Sequence, residues 1–178
     1  HLSKSPLLIN TFVKSYIMDR VVKKVKDETA IDQVLINIGG DVITSGDQEE
    51  TIHITDPRAS AINDAPLAIV KLNNKFVATS GDYRRGYLIN NHWYSHIIDP
   101  RTAQPAADII SATVIYDNAT DAGAMATAFN ILSLTEIEAL AEEFPGLAYL
   151  VVDKNGQQFK NSNWKAIEQE QHSFNNDK

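Results

Sequence analysis

The residues best suited to chemistry lie between Thr79 and Pro105. A small polar run, Thr79-Ser80-Gly81-Asp82, is followed by the cations Arg84-Arg85, and His96 opens the run His96-Ile97-Ile98-Asp99-Pro100-Arg101-Thr102. Gly81 lets a ligand approach the backbone where a side chain would block it. Thr79 and Ser80 offer hydroxyls, and the two arginines offer forked donors for phosphate. Histidine is the side chain that titrates near neutral pH unperturbed. A lone histidine in a strand is usually structural, and His53 and His92 are read that way. The run that His96 opens sets it apart from them as a candidate functional residue. Upstream, Gly39-Gly40-Asp41 closes an apolar run, as a Gly-Gly pair at a strand end does.

Those residues need a scaffold. Ala68–Leu72 and Lys75–Ala78 read as a hairpin turning at Asn73-Asn74, whose second strand delivers Thr79 to its end. Ser95–Ile98 reads as a short strand of the same sheet, carrying His96. Leu7–Asn10, Val34–Ile38 (buried), Thr51–Ile54 and Ile110–Tyr116 read as further strands. Tyr83, Tyr87, Trp93 and Tyr94 read as core or sheet surface. The spacing predicts a helix over Phe12–Lys26 whose Val13, Ile17, Val21 and Val25 face the core. A helix over Ala122–Leu132, rich in small residues, is capped by Thr120 or Asp121. Ser133-Leu134-Thr135-Glu136 is a capping box opening a helix that runs to about Phe144 and stops at Pro145-Gly146. Leu147–Val152 and Gln158–Lys160 form a last hairpin about Asn155-Gly156. The expectation is one α+β domain over 1–160, a mixed or mainly antiparallel sheet with packed helices, and a loose polar tail over 161–178.

Composition narrows the function. The chain has 178 residues, enough for one domain with a substantial core. Its net charge of -7 argues against a nucleic-acid partner. It contains no cysteine, which excludes thiol redox chemistry and thiolate metal sites. No apolar run is long enough to span a membrane, and no signal peptide is visible. The chain opens on His1 rather than Met, which reads as a processed form or a fragment.

Taken together, the stretches TSGDYRR and HIIDPRTAQP resemble the paired signature of the ApbE-type flavin transferases, the FAD:protein FMN transferases. INIGGD (36–41), FVKSYIMDRVV (12–22) and AGAMATAFNILS (122–133) agree in order and approximate spacing. The resemblance covers roughly Phe12–Val152, the C-terminal part of a family member, with the usual N-terminal segment expected to be absent. It implies the ApbE-like, T-fold-related version of the α+β fold. It also implies FAD as ligand or substrate, Mg²⁺, a flavin-acceptor protein as partner, and a place in the bacterial periplasm or cell envelope, where family members are commonly lipoproteins. By the resemblance, Lys14, Gly39, Gly40, Asp41, Thr79, Ser80, Gly81 and Asp82 bind the cofactor, and His96 acts as base or orients the substrate.

The metal motif departs from the family. An aspartate four residues before a threonine is expected to hold the cation, and this chain has Gly123 before Thr127. Asp121 is the remaining carboxylate candidate beside Thr127, although its direction along a helix differs from that of position 123 by about 160°. Around Lys14, glycines and an acidic residue of the family pattern are replaced by Leu8, Asn10, Thr11 and Ser15. The sequence therefore leaves three readings: transfer of FMN from FAD to a protein threonine with Mg²⁺, a non-catalytic FAD-binding domain of the same fold, or an FAD pyrophosphatase using water as nucleophile.

Overall fold

The computed structural model describes residues 10–61, 64–81 and 86–170. Its framework is a six-stranded sheet in the order β1-β2-β5-β10-β11-β12, antiparallel at every pairing. The strands are β1 (Val34–Ile38), β2 (Asp41–Ser45), β5 (Phe76–Gly81), β10 (Ile109–Tyr116), β11 (Ala148–Asp153) and β12 (Gln158–Lys160). Three two-stranded ribbons complete the β-structure. They are β3 (Glu50–Ile54) with β4 (Ala68–Leu72), β6 (Gly86–Ile89) with β7 (His92–Ser95), and β8 (Ile98–Asp99) with β9 (Gln104–Pro105). Helices α1 (Asn10–Glu28), α2 (Ala119–Ala128), α3 (Leu134–Glu142) and α4 (Ser162–Ile167) follow the chain order.

The central strands alternate between two cores, as period-two side-chain placement requires. On one face, Ile43, Phe76, Ala78, Ala112, Val114, Tyr149 and Val151 pack under α1, α2 and α3. On the other, Val42, Val77, Ile115, Ala148 and Leu150 pack against the β3–β4 ribbon and Trp164 of α4. Helix α2 lies close to the sheet because its buried positions are Ala119, Ala122, Gly123 and Ala126. It can present no bulk there. Phe129 follows it, fully buried, with its ring edge-on to Tyr149 at 5.6 Å.

Several expectations are corrected. Ala68–Leu72 and the next strand do not pair: β4 joins β3, whereas β5 joins β2 and β10. The Asn73-Asn74 bend is a corner between two sheets. Asn74 takes a left-handed φ of 51°, and its side-chain amide is tied to both the N–H and the carbonyl of Gly46. Val34–Ile38 is an edge strand with exposed Leu35 and Ile38, because it pairs with β2 alone. His96 lies between β7 and β8, outside both strands and outside the main sheet.

Helix α1 buries Ser15, Met18 and Val22, while Ile17 and Val21 are exposed. A row of i, i+4 steps gains 40° each time, so 13–25 wanders about 120° around the cylinder, whereas 15, 18 and 22 hold one face. Asn118 caps α2 in place of Thr120 or Asp121, accepting the Asp121 N–H, and the helix ends at Ala128. Tyr87, Trp93 and Tyr94 lie exposed on the β6–β7 ribbon, which is the sheet-surface alternative, and Tyr83 lies outside the described residues. The stretch from Asn161 opens with a helix, not a tail: Asn161 caps it, and Trp164 is fully buried. The Ser133–Glu136 capping box and the β11–β12 hairpin occur as expected. The strand expected at Leu7–Asn10 falls outside the described residues except for Asn10, which begins α1.

Phe129→Ala should lower the unfolding free energy by about 3–5 kcal/mol in urea denaturation, since the ring sits in a fully packed site. Ser133→Ala should cost about 1 kcal/mol through loss of the cap.

Candidate functional site

The β1–β2 turn is made by Gly39 and Gly40, with φ of 60° and 94°. Both lie in the left-handed region that favours glycine. A Cβ added at either would meet no atom within 4 Å, so the requirement is backbone conformation and the space beside the turn is open. Antiparallel pairing brings this turn to the same end of the sheet as the C-terminal end of β5.

There a cavity of 790 Å³ opens, within the roughly 300–1,000 Å³ span of small-molecule sites. Its walls include Asn37, Gly39 and Gly40 from the first hairpin, and Thr79, Ser80 and Gly81 from β5. Lys14 reaches it from α1, and His96 from the segment after β7. Seven of the residues expected to serve the cofactor or the chemistry thus line one space, although they come from four parts of the chain: Lys14, Gly39, Gly40, Thr79, Ser80, Gly81 and His96. Asp82 and the pair Arg84-Arg85 lie outside the described residues.

Asp41 is placed differently. It is only 5% exposed and is not among the residues lining the cavity. The β2–β5 ladder runs through Val42↔Val77, and beyond it Asp41 Oδ1 accepts the Thr79 N–H at 3.3 Å. Its Oδ2 meets Lys14 Nζ at 2.6 Å. Burial pushes the Asp41 carboxyl above its ordinary value, against the opposing pull of the Lys14 ammonium and the Thr79 N–H. Thr79 is held on its other side by a 3.0 Å contact between its hydroxyl and that of Thr113.

The β3 strand supplies a wall that the sequence reading missed. Thr51, His53 and Thr55 alternate with buried Ile52 and Ile54, and His53 lines the same cavity as His96. The period-two pattern of Thr51–Thr55 was the available signal, since it puts His53 on a polar face.

The expected metal donors, Thr127 and Asp121, both lie on α2. Thr127 Oγ1 donates to the Gly123 carbonyl at 3.2 Å, a bond within its own helix. Asp121 occupies the first turn of α2, and neither residue lines the cavity. Among the described residues no group of three His, Asp or Glu side chains could hold a metal ion. Nor does the Asp99-Pro100-Arg101 run face the cavity. Arg101 pairs with Asp99 at 2.8 Å, reaches Glu136 Oε1 at 2.8 Å and donates to the Ile131 carbonyl at 2.6 Å. These bonds hold the Asp99 carboxyl below its ordinary value and tie the turn to the start of α3.

Two outcomes test the Asp41 contact. Because the folded carboxyl keeps its proton to higher pH than the unfolded one, wild-type stability should fall relative to Asp41→Asn as pH rises from about 4 toward 7. Urea titrations across that range would show it, and a rising difference would contradict it. Lys14→Met leaves a buried carboxylate without its cation; with Lys14 partly exposed, the cost should be about 1–3 kcal/mol at neutral pH.

Comparison with known proteins bears on the family and the fold. A profile of the ApbE family matches residues 3–151. The FAD:protein FMN transferase of Treponema pallidum is 30% identical over 81% of this chain and 42% of its own length. That of Klebsiella pneumoniae is 29% identical over 85% of this chain and 44% of its own. Among solved structures, the ApbE protein of Thermotoga maritima superposes with a TM-score of 0.79 at 29% identity, covering 91% of this chain and 53% of that one. The flavinyl transferase ApbE of Pseudomonas stutzeri gives 0.73 at 28%, covering 90% and 51%. The chain thus spans about half the length of the relatives it matches. With a profile match across most of its length and the same fold, the chain belongs to the ApbE family.

Proposed function

We propose that the protein binds FAD in the cavity at the β1–β2 turn and transfers its FMN portion to a hydroxyl of an acceptor protein. The observation that carries this reading is the convergence of Lys14, the Gly39-Gly40 turn, the end of β5 and His96 on one space. Relatives named FAD:protein FMN transferase support it. In the step itself, the acceptor oxygen bonds to the FMN phosphorus, the bond from that phosphorus to the AMP oxygen breaks, and the hydroxyl proton passes to the His96 imidazole. Such a reaction depends mainly on positioning and on neutralising charge. Lys14 supplies a cation at the cavity wall, held in place by Asp41. The Ser80 hydroxyl and the open space beside the glycine turn suit phosphate oxygens, while the Gly40 N–H donates to Asn37 Oδ1 at 3.2 Å. Mg²⁺ and a threonine acceptor are what the family resemblance adds. With no donor set assembled for the cation among the described residues, no step is assigned to it. An envelope location belongs to the same reading.

A second reading, an FAD-binding domain without transfer, is favoured by Gly123, which stands where the family resemblance places the metal aspartate. Incubation with FAD and an acceptor domain, with and without Mg²⁺, separates the two. Transfer predicts AMP release together with covalent flavin fluorescence on the acceptor, and His96→Ala should slow it by about 10²–10⁴-fold while FAD still binds. AMP released without an acceptor would indicate hydrolysis. FAD bound by the folded protein with no AMP formed under any condition would leave the binding domain.

A further inference from the structure

The segment that follows His96 is short of internal support. It runs into β8 and β9, a ribbon of two residues a side that pairs with no other strand among the described residues. A two-stranded ribbon of ordinary length is at best marginally stable in water, and this one is shorter. Its turn holds Ala103 at a φ of 58°, a left-handed conformation that a residue with a Cβ seldom takes. Such a conformation persists only where the surroundings over-determine it.

The contacts that do so are of two kinds. Some shape the segment from within. The Asp99 carbonyl accepts the Ala103 N–H at 2.8 Å, and the Asp99 carboxylate accepts the Arg101 N–H at 2.9 Å. Next to His96, the Ile97 N–H donates to the buried Ser95 Oγ at 3.1 Å, and the Ile97 carbonyl accepts the Ala106 N–H at 2.8 Å. Through the Ile98↔Pro105 and Asp99↔Gln104 pairs, the turn and Ile97 move as one piece.

Arg101 makes the contacts of the second kind, which fix that piece against the helices. Its Nη2 donates to Asp99 Oδ2 at 2.8 Å and to the Ile131 carbonyl, between α2 and α3, at 2.6 Å. Its Nη1 donates to Glu136 Oε1 at 2.8 Å. Glu136 is itself fixed, since its Oε2 accepts the Ser133 N–H at 2.7 Å and the Ser133 hydroxyl at 2.8 Å. One planar guanidinium thus serves three acceptors, which an ammonium on a flexible stem does not reproduce. Arg101 does not line the cavity, and its side chain is 49% exposed, so its removal opens no hole in the core.

We propose that Arg101 is a positioning residue for His96: without touching the ligand, it fixes the turn that follows and with it the direction from which the imidazole enters the cavity. The inference rests on the transfer reading above and deepens it, separating the group that meets the substrate from the one that aims it. A reacting group displaced by about 1 Å loses on the order of 100-fold in rate, so a distant tether can matter to turnover and not to binding.

The test uses the full chain, free and saturated with FAD. The imidazole resonance of His96 is identified by its loss in His96→Gln. In Arg101→Ala that resonance should move, while the resonance of His53 on β3 stays in place. FAD affinity, read from quenching of flavin fluorescence, should be unchanged. With an acceptor domain present, kcat for AMP release should fall by about 10–100-fold at unchanged KM for FAD. Arg101→Lys keeps the charge without the fork and should recover only part of the turnover. If Arg101→Ala folds poorly, Arg101→Lys decides by the same readouts. An unmoved His96 resonance, or turnover equal to wild type, would overturn the proposal. So would a loss of FAD affinity that accounts for the loss of turnover, or a general shift of all the histidine resonances. A wild-type chain that forms no AMP, with the His96 resonance still displaced in Arg101→Ala, would retain the positioning and remove the transfer reading.

Discussion

Asp41 makes the contact on which the cavity depends. One carboxylate oxygen accepts the Thr79 N–H at the point where the β2–β5 ladder ends, and the other holds the Lys14 ammonium. Three elements, α1, β2 and β5, are thereby fixed to one side chain that is almost wholly buried. A buried carboxylate is costly unless it is paired and hydrogen-bonded, and here both conditions are met by residues that also line the cavity. The upward displacement of its titration records the residual burial cost. Such a group contributes less to net stability than to geometry. It fixes where a cation stands and how the end of β5 is oriented.

The sheet supplies the rest of the rigidity. Its central strands are covered on both faces, by α1–α3 and by the β3–β4 ribbon with α4. The glycine turn and the end of β5, both lining the cavity, sit at one end, where the strands run out into turns. This is the arrangement expected when loops carry ligand contacts and a packed scaffold positions them. The run from His96 to Arg101 divides by position. His96 faces the cavity, while Asp99 and Arg101 fasten the following turn to Ile131 and Glu136. Glu136 also completes the capping box with Ser133, so the placement of His96 is tied to the start of α3. The glycine turn, the hydroxyls of β5 and Lys14 suit an anionic, hydrogen-bonding ligand.

By itself, the sequence determined the α+β class, the capping box at Ser133, the last hairpin and seven of the sixteen cavity-lining residues, because these follow from local signals and short motifs. It did not determine which strands pair. Asn73-Asn74 looks like a hairpin turn, yet β4 and β5 part into different sheets there, since pairing is decided by burial against distant partners. Nor could it show that Asp41 faces α1 and not the cavity, that His53 joins His96, or that Asp121 and Thr127 stay within their own helix. Each of those depends on the direction of a side chain relative to elements far away in sequence, and only the packing of the whole domain sets that direction.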